Sequence, residues 1–130
     1  MGVTNLSALT LEGALIVGGA STLVTPALGV ATATSIALGG GTAITKIVVY
    51  AATIDPASVA AATSVEQTFT VTGLTTADKV IVSKPTATAG VGIVNARVSA
   101  ANTLALTFMN ATAGAVDPVS EVYTVMALRS

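Results

Sequence analysis

Few side chains in this sequence can move protons, attack carbonyl carbons or hold metals, and they are scattered. Six carboxylates (Glu12, Asp55, Glu66, Asp78, Asp117 and Glu121) stand against five cations (Lys46, Lys79, Lys84, Arg97 and Arg129), with no histidine and no cysteine. Lack of histidine removes the commonest general base near neutral pH and the commonest transition-metal ligand. Lack of cysteine removes thiolate nucleophiles, disulfides and zinc-thiolate sites. Glycoside hydrolysis needs two carboxyl groups flanking a cleft. Asp55 and Asp117 are the one tempting pair, because each precedes a proline and a β-sandwich can bring two such turns to one end. The simpler role for aspartate before proline is to cap the turn with its own side chain, and that role is expected here.

The remaining chemistry is thinner still. A calcium loop gathers several oxygen ligands in one segment, whereas no two acidic residues here lie within three positions of each other. A nucleophilic serine would need Lys46, Lys79 or Lys84 as its base, and none stands in a serine–lysine motif. The sequence therefore predicts no enzyme, no metal and no cofactor. Asn5-Leu6-Ser7 and Asn110-Ala111-Thr112 match the glycosylation pattern. Tyr50, Phe69, Phe108 and Tyr123 could stack on a sugar, but their places on expected strands assign them to a core.

Positioning these residues falls to a chain whose composition is itself informative. Charged residues are 8% of the 130 residues, against about 25% in an ordinary soluble domain. Hydrophobic residues make up 52%, with alanine and valine rather than aromatics in excess. A compact monomer of this mass exposes about 6,000 Å², for which so few charges are a thin cover; burial against other subunits is expected. A net charge of −1 with scattered cations offers no basic stripe for nucleic acid.

No charge occurs from Gly13 to Thr45, a length that raises the possibility of a membrane span. Gly18-Gly19, Pro26, repeated Ser and Thr, and the lack of a Lys or Arg flank before Lys46 argue against one, and no basic segment opens a secretory signal. Short extended pieces over 6–11, 14–17, 22–25 and 28–32 suit an N-terminal β arm over residues 1–42 that lies on neighbouring chains. Leu9, Leu11, Leu15, Ile16 and Val17 are its expected contact residues; packing within the chain, as a hairpin on its own sandwich, is the alternative. Gly39-Gly40-Gly41 lacks the Lys-Ser/Thr of a phosphate loop and reads as a hinge.

Residues 43–130 read as strands. Val65, Phe69 and Val71 alternate with Glu66, Thr68, Thr70 and Thr72 up to Gly73, the pattern of a half-buried strand. Further strands are expected over about 43–54, 79–83, 91–99, 103–109 and 121–128, separated by Asp-Pro, Gly and Asn turns. Apolar residues on both faces of the first, Ile47, Val49 and Ala51 against Val48, Tyr50 and Ile54, predict burial of both faces. Val94, Ala96 and Val98 are expected to point inward on the fourth, and Leu104, Leu106 and Phe108 on the fifth, with Ala105 outward. The fold class is all-β, an antiparallel β-sandwich of jelly-roll or immunoglobulin-like type with an extended N-terminal β arm.

Gly40-Gly41-Thr42-Ala43-Ile44-Thr45-Lys46-Ile47, Ser64 to Leu74, Ala96 to Leu104, Phe108 to Pro118 and Tyr123-Thr124-Val125 together resemble a module of tailed-bacteriophage structural proteins. The resemblance runs from Gly40 to Leu128, and the module occurs in capsid decoration proteins and in fibre-like virion proteins. It implies a non-enzymatic capsid decoration (cement) protein on the outer capsid surface of a virion. As a homotrimer, it would contact the major capsid protein, with neither nucleic acid nor membrane as partner. The alternative is a tail or head fibre that binds a receptor or glycan.

Overall fold

A computed structural model of the chain describes residues 40–130. The expected arm up to residue 39, with Leu9, Leu11, Leu15, Ile16 and Val17, lies outside the described residues. Six strands follow: β1 (Lys46–Ile54), β2 (Thr63–Thr70), β3 (Lys79–Ser83), β4 (Val91–Ala100), β5 (Thr103–Asn110) and β6 (Glu121–Arg129). They form two antiparallel three-stranded sheets ordered β1-β6-β3 and β2-β5-β4. The inner faces share one core, so the fold is the expected all-β sandwich.

Alternation builds that core. On β5, Leu104, Leu106 and Phe108 turn inward opposite Phe69, Gln67 and Val65 of β2. On β6, Tyr123, Val125 and Ala127 do the same, and Ile54, Val59, Val71 and Leu74 fill the remaining space. Phe69 meets Phe108 edge to face, with ring centroids 6.3 Å apart, the arrangement that aromatic quadrupoles favour. The two middle strands, β5 and β6, hold most of the fully buried side chains, because a middle strand is covered by a neighbour on each side.

Two expectations from alternation fail, each for a non-local reason, and one outward residue is covered where it stands. β1 is buried on one face only: Ile47 and Val49 are 58% and 59% exposed. Val94 is 54% exposed because the β4 ladder passes from Ile93 opposite Phe108 to Asn95 opposite Thr107, leaving Val94 in a bulge. Ala105, on the outer face of the central strand, is fully buried; its neighbours there are Thr68 and Arg97, and Arg97 reaches across β5 to Glu66. The strand opening at Val65 also ends sooner than Gly73, at Thr70.

The connections sort by end. Segments 55–62, 84–90 and 111–120 gather where β1, β3 and β5 finish. At the other end lie the start of β1, the finish of β6, the 71–78 turn and the Ala101-Asn102 hairpin. That hairpin closes without glycine because Asn102 adopts a left-handed backbone with φ of 59°, which asparagine tolerates. Its main chain and side chain then dock on the 71–74 turn: Asn102 N donates to Leu74 O at 2.8 Å, and Asn102 Oδ1 accepts from Gly73 N at 2.7 Å.

Candidate interaction surfaces

The charged side chains are mostly committed to holding the ends of the sandwich. Asp78, with its side chain fully buried, accepts from Arg129 Nε at 2.8 Å, from Lys46 Nζ at 3.2 Å and from the Thr75 N–H at 2.9 Å. One carboxylate thereby ties the start of β1 to the finish of β6 and to the 75–78 turn. Burial pushes the Asp78 carboxyl up, but the Thr75 N–H and the two cations outweigh it and hold the group below the usual carboxylate range. Lys46 Nζ and Tyr50 Oη also donate to Gly73 O, each at 3.1 Å.

At the opposite end, Lys84 pairs with Glu121 beside the Tyr123 ring, and Thr86 Oγ1 donates to Glu121 at 2.8 Å. The Lys84 ammonium, chiefly, lowers the Glu121 carboxyl from its ordinary value. Burial raises the Tyr123 phenol, and its hydroxyl has no hydrogen-bond partner among the described residues. On the outer face of the second sheet, Arg97 and Glu66 form a two-pronged pair at 2.7 and 2.9 Å. These contacts are those of a frame, and the sequence distances across them explain why no local motif announced them.

Asp55 and Asp117 do lie at the same end, in segments joined by a Val59–Val116 bridge. Both are exposed while Pro56 and Pro118 are buried. Neither carboxylate makes a hydrogen bond among the described residues, so the expected side-chain caps are not seen; what each Asp-Pro pair anchors is its proline. Asn110, at the second glycosylation pattern, is buried: its amide donates to Val59 O and Gly114 O, and its Oδ1 accepts from Thr112 N and Oγ1. A glycan cannot be attached to that side chain in the folded state. The four aromatic rings belong to the core cluster or its margin, as their alternation predicted.

An open cleft of about 320 Å³ lies between Ala62, Thr63, Ser64, Met109, Asn110 and Ala111. No titratable side chain lines it, so nothing there supplies an acid, a base or a charged anchor.

The two outer sheet faces differ sharply. Strand pairing on the β2-β5-β4 face sets Glu66, Thr107 and Asn95 in one row and Thr68, Ala105 and Arg97 in the next. On the β1-β6-β3 face it sets Val49, Met126 and Ile81 side by side, then Ile47, Leu128 and Lys79. Ile81 is 71% exposed and Met126 40%. The first face is polar and crossed by an ion pair; the second is apolar and open. Reading β1 as buried on both faces obscured this surface, although Ile47 and Val49 were themselves the signal for it.

Comparison with protein-family models, with curated proteins and with solved structures finds no match to the chain.

Proposed function

We propose that the chain is a non-enzymatic capsid decoration protein of a tailed bacteriophage, a homotrimer that sits on the outer capsid surface and reinforces contacts between major capsid proteins. The observation that carries this reading is the open apolar face of the β1-β6-β3 sheet, on a domain most of whose charges pair with one another. Lys46, Arg129 and Asp78, Lys84 and Glu121, and Arg97 and Glu66 are paired internally. Such a surface suits an assembly in which neighbours cover apolar area. The resemblance of Gly40 to Leu128 to phage structural modules supports the same reading and supplies the location. In mechanism, three copies engaging several capsid subunits at once make release slow even when each contact is modest. Burial contributes about 25 cal/mol per Å², less the cost of association. Leu9, Leu11, Leu15, Ile16 and Val17 are proposed contacts of the arm in that assembly.

The test is co-sedimentation of the full chain with capsids that lack it. Saturable binding in multiples of three, with a rise in the temperature at which capsids rupture, is expected. Failure to sediment with any capsid of the source phage would sink the reading. A second reading, a head or tail fibre with receptor- or glycan-binding loops, draws on the clustering of 55–62, 84–90 and 111–120 at one end. Adsorption to host cells lost on changing those loops would favour it.

A further inference from the structure

We draw no further inference here: the strongest candidate, the open apolar outer face of the β1-β6-β3 sheet around Val49, Met126 and Ile81, carries none because nothing in the structure shows what covers it.

Discussion

Asp78 is the residue on which one end of the sandwich depends. Asp78→Asn keeps the shape but leaves Lys46 and Arg129 without their common anion, at an expected cost of about 2–4 kcal/mol, between the values for exposed and buried pairs. The pH dependence has a definite sign. Because the folded-state pKa of Asp78 is depressed, its contribution is complete above the unfolded-state value near 3.9 and is lost as pH falls through the lower folded-state value. Glu121 acts in the same direction. With no histidine in the chain, urea midpoints are expected to be level from about pH 5 to 8 and to fall below about pH 4, and Asp78→Asn should flatten that acid limb. A midpoint that drops between pH 7 and 5 would contradict this. Gly73 belongs to the same corner. Its φ is +99° and an added Cβ would lie 3.1 Å from Tyr50 Oη, so Gly73→Ala is expected to cost about 1–3 kcal/mol in chemical unfolding.

At the scale of elements, the 55–62 and 111–120 segments at the far end are joined by one short bridge, Val59 to Val116, and by one side chain. Asn110, the last residue of β5, fastens Val59, Thr112 and Gly114 through four hydrogen bonds of 2.7–2.9 Å. Asn110→Ala removes all four bonds and leaves the Thr112 N–H without its acceptor, while Val59 O keeps the Val116 N–H and Gly114 O keeps Thr112 Oγ1; the expected cost is about 1–3 kcal/mol. Hydrogen exchange at the Val59 and Val116 amides, which bond each other's carbonyls at 2.8 and 3.0 Å, should accelerate more than exchange in β6. Uniform acceleration would mean that the loops are not an independent unit. The bulge at Val94 is the other element-scale device. It bends β4, an edge strand, away from regular pairing, which protects the edge from adding further strands.

For the whole molecule, an assembly held by apolar contact has a distinct dependence on conditions. Apolar contact is unscreened by salt and weakens on cooling. The trimer is therefore expected to persist from 0.1 to 1 M NaCl and to dissociate more readily at about 4 °C than at 25 °C, as read by light scattering. Dissociation by salt at constant temperature would point instead to ion pairs between copies.

The amino-acid sequence by itself determined the strands, because alternation and turn chemistry act over a few residues. Leu104, Leu106 and Phe108 face the core as their spacing requires, and Asp55-Pro56, Ala101-Asn102 and Asp117-Pro118 fall between strands. It also limited the chemistry, since no fold can supply the imidazole and thiol groups the chain lacks. Tertiary structure alone decided which apolar faces are covered. Ile47 and Val49 look as buried as Val48 and Tyr50 in the sequence; they differ because β1 borders a sheet whose core lies on one side only. The pairing of Asp78 with Arg129 and of Lys84 with Glu121 was equally out of reach, because those partners are 51 and 37 residues apart and meet only when β3 adds to β6. Strand order sets those neighbours, and no local pattern encodes it.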